Sequence, residues 1–565
     1  MAITRRAMAR RHIATVALIL GWPALCAAAG SEPAAPSFPV TVRIEANRSQ
    51  GELRPIWRFF GADEPNYATM KDGRALLAEL GALRPGEVYF RAHNLLTTGD
   101  GTPALKWGST NVYTEDSQGR PVYDWTIVDR IFDTYRARGV HPYIEIGFMP
   151  EALSVHPQPY QHDWRPGSGD LFTGWAYPPK DYGKWAELVR RWVTHCVERY
   201  GRPEVERWYW ETWNEANIGY WQGTRDEFFR LHDVTVAAVR QALPTARVGG
   251  PDMAGSDREY LSAFIEHCAH NRTPLDFVAF HAKGSPDVVD GHVQMGIAAE
   301  LQTIANGFET IASFPETRHL PIVIGECDPE GCAACRGSRF AYRNGTMYSS
   351  YTAAVFARAH DLADRYGVDL EGALTWAFEF EDQPYFAGFR ALATNGIALP
   401  VLNVFRMFSR MPAERVAVTS SAAVPLDAIV SGGVRGAPDV SALASRDQHQ
   451  LAILVWHYHD DDVAGPAADV RLECSGLPAN VDAATLTHYR VDDTHSNAYA
   501  AWLGIGSPVA PDAKQYAQLK AASSLAVVEK PKTLRFSGGT LELDFALPRQ
   551  AVSLVILDWG PYKTP

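Results

Sequence analysis

Trp208-Tyr209-Trp210-Glu211-Thr212-Trp213-Asn214-Glu215 is the stretch that decides how this chain is read. It begins with the aromatic composition of a strand and ends in Asn-Glu, ahead of a loop running from Ala216 to Gly219. A carboxamide and a carboxylate closing a buried strand pack poorly. They can, however, hold a hydroxyl and pass a proton. A second apolar run, Pro321-Ile322-Val323-Ile324-Gly325-Glu326, also ends in a carboxylate. Two glutamates at the ends of two strands form the pair that hydrolysis of a glycosidic bond requires. The bland alternative is two salt-bridged strand-end acids.

Outward from that stretch, strand-like and helix-like runs alternate. Strand ends fall near Phe60-Gly61, Arg91, Ile144-Glu145, Glu211, Gly249-Gly250, Phe280, Gly325 and Trp376. Between them, Ile127, Ile131, Phe132 and Tyr135 share one helical face, as do Trp185, Leu188, Val189, Trp192, Val193 and Cys196. Thr224 with Glu227 and Ser256 with Glu259 read as capping boxes opening two more helices. The pattern predicts an α/β chain whose residues 57–411 form a (β/α)8 TIM barrel, with both glutamates on its catalytic, C-terminal face. Beyond Met411 the helical period gives way to short alternating runs such as Leu451 to Trp456 and Ala551 to Leu557. These predict an accessory C-terminal β-sandwich over residues 412–565. Residues 30–56 read as a linker plus an N-terminal strand, Val40 to Ile44, that joins this β-domain.

The 565 residues, 46% hydrophobic and 21% charged, have the composition of a globular protein. A net charge of −12 argues against a nucleic-acid partner. Residues 1–29 read as a cleaved export leader: Arg5, Arg6, Arg10 and Arg11, an apolar run from Ile13 to Leu20, then small residues to Ala29. The run is too short for a membrane anchor, and the protein is expected in the periplasm or outside the cell. The Arg5-Arg6 pair leaves twin-arginine export open beside the general route. Cys332-x-x-Cys335 can close a small disulfide in such a compartment, whereas a zinc site lacks a fourth local ligand.

Asn214-Glu215 after the fourth strand, with Glu326 ending the seventh, resembles family 39 of the glycoside hydrolases, in the large clan of retaining barrel enzymes. The segments Gly61 to Tyr67, Phe90-Arg91-Ala92-His93, Glu145 to Pro150, Pro321 to Asp328 and Tyr489 to Asn497 carry the likeness across nearly the whole chain. The resemblance implies that Glu215 is the general acid/base and Glu326 the nucleophile of a glycosyl-enzyme intermediate. It implies substrate contacts from Asn214 to the sugar 2-hydroxyl, from His93 and His281 to other hydroxyls, and from Trp376 as an apolar platform. Glu381, with Glu379 and Asp382, is a candidate for a distal hydroxyl. No metal and no organic cofactor are implied, since both half-reactions need only carboxyls and water.

The branch within the family is less sharply marked. Trp210 to Asn217, Tyr220-Trp221 and Asp492 to Asn497 are similar to β-xylosidases, which degrade xylan fragments. His281-Ala282-Lys283 and Glu326-Cys327-Asp328-Pro329 are similar to α-L-iduronidases, where Lys283 with Arg390 could pair with a uronate carboxylate. The alternative is that Glu381 or another protein carboxylate neutralises Lys283. The chain also has Asn214-Glu215-Ala216 where the family commonly has Asn-Glu-Pro. The expectation is an exo-acting β-xylosidase taking an oligosaccharide, with a uronidase and a non-catalytic carbohydrate-binding barrel as the competing readings. Self-association is left open.

Overall fold

The computed structural model describes residues 37–165, 167–169 and 171–560. The leader predicted over residues 1–29 lies outside them. Eight parallel strands follow one another in chain order: Phe59–Ala62, Val88–Ala92, Val140–Glu145, Tyr209–Glu211, Arg247–Met253, Phe277–Lys283, Pro321–Asp328 and Asp369–Ala373. Hydrogen bonds from Gly61 N to Thr375 O and from Thr375 N to Phe59 O, both 3.1 Å, close the last strand onto the first. The result is a (β/α)8 barrel.

Alternation along the strands sorts the barrel interior into layers. Phe59, Tyr89, Tyr143, Tyr209 and Phe277 form one buried aromatic cluster, in which Phe59 stacks on Tyr89 and Tyr143 on Tyr209 at centroid distances of 5.1 and 5.0 Å. Two residues further along three of these strands stand Arg91, Glu145 and Glu211, all buried. Charge thus sits directly above the aromatic layer, on the side where the strands end.

The outer helices bury the faces their periodicity marks. Tyr182–Tyr200 is capped by Asp181, buries Trp185, Leu188, Val189, Trp192, Val193 and Cys196, and stops at Gly201. Thr224 and Glu227 form the capping box expected of Arg225–Ala242. The second expected box does not form. The helix Arg258–Asn271 starts one residue later than Ser256 requires, and Asp257 caps it instead by accepting from Tyr260 N at 2.8 Å. Ser256 Oγ donates to Thr303 O.

The rest of the chain builds a ten-stranded sheet. Phe38–Glu52 runs antiparallel to Glu414–Ser420 on one side and parallel to Ala468–Ser475 on the other. Val40, Val42, Ile44, Ile453, Val455, Leu472 and Leu557 share a second core. The helix Thr346–Tyr366 joins sheet to barrel and is buried along most of its length, as a helix covered on both sides must be. Arg358 on it reaches Asp439 (2.9 Å), and Ser350 donates to Gln550 (2.7 Å). Cys332 and Cys335 are disulfide-bonded. Among the described residues, no helix is long and apolar enough to cross a membrane.

Candidate active site

The chain leaves the fourth barrel strand at Glu211 and is pinned before it reaches Asn214. Thr212 Oγ1 bonds His232 Nδ1 at 2.9 Å, and the fully buried Trp213 donates from Nε1 to Tyr220 O at 3.0 Å. Glu215 is then held at φ 46°, the left-handed region, which costs a residue with a Cβ about 1–2 kcal/mol. Its N–H donates to Asp252 O at 2.9 Å. Glu326 lies in the seventh strand just past a register shift that follows Ile324. One oxygen of Glu215, one of Glu326 and a ring nitrogen of His281 lie within 4.8 Å of one another. The Glu215 side chain is 14% exposed and that of Glu326 6%, so both reach the open end of the barrel.

His281 links the pair to the charged layer below. Nδ1 donates to Glu215 Oε1 at 2.8 Å and Nε2 to Asp252 Oδ2 at 2.9 Å. Burial works against its charge, but Asp252 and Glu326 outweigh burial and push its pKa up to about 10. Lys283 Nζ lies 2.5 Å from Glu326 Oε2 and 2.6 Å from Asp328 Oδ2. Burial would raise the pKa of Glu326, yet Lys283, His281 and Arg91 hold it well below the usual carboxylate range. Arg91, fully buried, pairs with Glu211, Asp252 and Glu145 and comes 3.6 Å from Glu326 Oε1. Burial pushes Glu211 up to about 8, partly opposed by Arg91, and pushes Glu145 up as well. Glu326 therefore stays ionised among cations, while burial favours the protonated forms of Glu211 and Glu145 beneath it. The trio Glu215, His281 and Glu326 has the spacing of a metal site. Both ring nitrogens of His281 are already donating, however, and Lys283 already sits beside Glu326.

Besides His281 and Lys283, three of the residues expected to bind substrate gather around this pair. His93 contacts Glu145 through Nδ1, and its Nε2 points between Asp63 (3.5 Å) and Glu326 (3.7 Å). Burial, then Arg91, hold its pKa well below the ordinary histidine value, so it is neutral. Asn214 accepts from Arg91 through Oδ1 at 3.0 Å and leaves a buried Nδ2 without a partner. Trp376 lies against His93 at a ring distance of 4.3 Å, over the Arg91 guanidinium, with Nε1 on Asp63 at 3.1 Å. Gly61 is what admits it, since a Cβ there would come within 2.4 Å of the indole.

Two expected contacts are not presented to the cleft. Arg390 is fully buried: Nη1 pairs with Glu330 (2.9 Å), Nη2 with Asp328 (3.3 Å), and Nε donates to Trp376 O (3.1 Å). It braces the segment behind Trp376 rather than offering a free guanidinium. Glu381 turns toward the helix Lys71–Leu83, where Oε1 accepts from the N–H groups of Asp72 and Gly73. Lys283 is neutralised by Glu326 and Asp328, not by Glu381. Sequence reasoning missed Asp252, which orients His281, and Asp63, which meets Trp376 and His93. Asp63 stands beside Glu64 in the family-like segment Gly61 to Tyr67 and Asp252 follows Pro251, but no role was read for either, and only the fold brings them to the site.

The model of glycosyl hydrolases family 39 matches residues 40–540. The chain is 26% identical to a β-xylosidase of Geobacillus stearothermophilus over 83% of this chain and 86% of that one. It is 25% identical to the α-L-iduronidase of Mus musculus over 93% of this chain and 82% of that one. Among solved structures, a monomeric β-xylosidase from Caulobacter crescentus CB15 superposes with a TM-score of 0.73 at 23% identity, covering 92% of this chain and 99% of that one.

Proposed function

The chain belongs to family 39 of the glycosyl hydrolases, and from that membership we propose that it is an exo-acting β-xylosidase working by double displacement. In this reading Glu326 attacks the anomeric carbon while Glu215 gives its proton to the departing oxygen, leaving a glycosyl ester on Glu326. Glu215 then takes a proton from water, which attacks the same carbon and frees Glu326. The observation that carries the reading is the approach of the two carboxyls, with nearest oxygens within 4.8 Å. So close an approach favours the separation of about 5–5.5 Å in retaining enzymes over the roughly 6.5–9.5 Å that leaves space for a water in inverting ones. Asn214 Nδ2, buried and unpartnered, is a donor in wait for the 2-hydroxyl.

Charge supports xylose over an acidic sugar. Lys283 and Arg390 converge on one oxygen, Oδ2 of Asp328, at 2.6 and 3.3 Å. A protein carboxylate thus already occupies the position between them that a uronate would need. For the uronidase reading that leaves Lys283, 17% exposed beside the nucleophile, as the cation to meet a uronate. Assays on an aryl β-xyloside and an aryl α-L-iduronide separate the two, and turnover of the iduronide alone overturns the proposal. Export belongs to the proposal as well, resting on the arginine-rich apolar leader at residues 1–29. Cell fractionation with N-terminal sequencing tests it, and protein confined to the cytoplasm with its leader intact would overturn it.

A further inference from the structure

One group of side chains away from the reacting pair is left without electrical compensation. Asp72 lies at the start of the helix Lys71–Leu83, and Glu379 and Glu381 follow the eighth barrel strand. One oxygen of each lies within 4.8 Å of the others. Glu379 is 3% exposed and Glu381 8%. Oε1 of Glu381 accepts from the N–H groups of Asp72 (2.9 Å) and Gly73 (2.7 Å), at a helix N-terminus where negative charge is favoured. Glu379 has no such outlet. Neither of its oxygens has a hydrogen-bond partner among the described residues, although both are buried. Among those residues, the trio's paired lysine or arginine is Lys71, 88% exposed and 3.8 Å from Asp72 Oδ1. A buried carboxylate with neither a hydrogen bond nor a counter-charge is strongly destabilising. Something positive from outside the chain has to complete the group.

We infer that Asp72, Glu379 and Glu381 form a binding site for a hard divalent cation, with Ca2+ the best match. The donors left over are all carboxylate oxygens: both of Glu379, Oε2 of Glu381 and those of Asp72. Among the described residues, no histidine or cysteine joins them. Oxygen-only donors select Ca2+, Mg2+ or Mn2+ over the softer metals. A carboxylate with both oxygens free can bind side-on, which suits the loose coordination of Ca2+ better than the strict octahedron of Mg2+. The site is structural. It ties the start of a barrel helix to the segment three residues past Trp376 and touches none of the reacting atoms. Asp72 also faces the turn at Gly396, where a Cβ would lie 3.1 Å from its Oδ1. The rival is a proton shared between Glu379 and Glu381, toward which burial and the Glu381 charge both push Glu379.

Thermal unfolding of the full-length protein, stripped with chelator and titrated with CaCl2 or MgCl2, distinguishes the two. Ca2+ is expected to raise the Tm of the native chain by about 3–8 °C at saturation, with a weaker response to Mg2+. E379Q is expected to lose the Ca2+ response. D72N, at the more exposed edge, keeps a response but needs about tenfold more Ca2+, and it decides the matter if E379Q does not fold. A native Tm indifferent to Ca2+ overturns the inference in favour of the shared proton. An equal shift in the native chain and both variants overturns it in favour of binding elsewhere.

Discussion

His281 Nδ1 lies 2.8 Å from Oε1 of Glu215, and the same ring is fixed from below by Asp252, 2.9 Å from Nε2. The imidazole is fully buried, yet Asp252 and Glu326 carry its pKa to about 10, against 6.5 for an unperturbed histidine. The folded protein therefore holds a proton on His281 through a window in which the unfolded chain has released it. The stability that His281 contributes is complete below pH 6.5 and is lost as the pH rises toward 10. Urea unfolding at pH 6, 8 and 9.5 should show the native chain losing stability more steeply than H281Q, by up to ~1.4 kcal/mol per pH unit. Parallel slopes would mean that the ring is neutral in the folded state.

Lys283 acts on the other carboxylate. It is the strongest of the charges holding Glu326 ionised against burial. As the proposed nucleophile Glu326 must attack as the anion, so kcat/KM of the native enzyme should show no acid limb from this group above about pH 4. In K283M the pKa of Glu326 rises and an acid limb should move up by ~1 unit or more. A pH–rate profile unchanged in shape would show that Lys283 is not what keeps the nucleophile charged.

Assigning Glu326 and Glu215 to different steps predicts different losses. E326A removes the bond-forming group and should lower kcat by at least ~10³-fold on every substrate. E215A should lose ~10²–10⁴-fold on substrates whose leaving group needs a proton. On an aryl xyloside with an acidic phenol it should lose far less in kcat/KM, because that phenolate leaves unaided. Equal losses across leaving groups would remove Glu215 from the acid role.

What could be read from the chain and what could not divide along physical lines. The barrel was legible because its strands are buried on both faces and helices such as Tyr182–Tyr200 on one, which prints two different periods on the sequence. Trp208 to Glu215 was legible because a polar pair closing an apolar strand needs a reason. The Arg91 layer was half legible: strand alternation sets Arg91, Glu145 and Glu211 on the barrel's inner face, but their mutual pairing depends on closure. Arg390 and Glu381 could not be placed, since their partners, Glu330 past the seventh strand and the amides of Asp72 and Gly73 at the start of a helix, are distant in the chain and no local pattern brings them near.

Backbone strain at Glu215 gives a prediction independent of catalysis. With φ at 46°, Glu215 occupies a region that glycine enters freely and other residues do not. E215A keeps the penalty and E215G removes it, although glycine gives some of that back through a looser unfolded chain. E215G should therefore match or exceed E215A in stability by about 0.5–1 kcal/mol, the reverse of their order at an ordinary site. Chemical denaturation of the two variants checks this, and a clearly less stable glycine variant would mean that the turn relaxes once the carboxylate is gone.

Gly61 and Trp376 close the argument on the far side of the cleft. Gly61 is in the first barrel strand, and the indole of Trp376 fills the space where a side chain would stand, 2.4 Å from an added Cβ. The indole cannot retreat while keeping its partners: Nε1 is on Asp63, the ring lies against His93, and the backbone N–H is on Asp328 at 3.0 Å. G61A must therefore either displace the ring toward the sugar or break those contacts. Both outcomes spoil the platform without touching Glu215 or Glu326. KM for an aryl β-xyloside should rise ~10-fold or more, with stability falling by about 1–3 kcal/mol from overpacking. Trp376→Phe in the same background relieves the clash by trimming the ring, and should recover stability while leaving KM high. If G61A leaves KM unchanged, Trp376 is packing material and the sugar rests on some other surface.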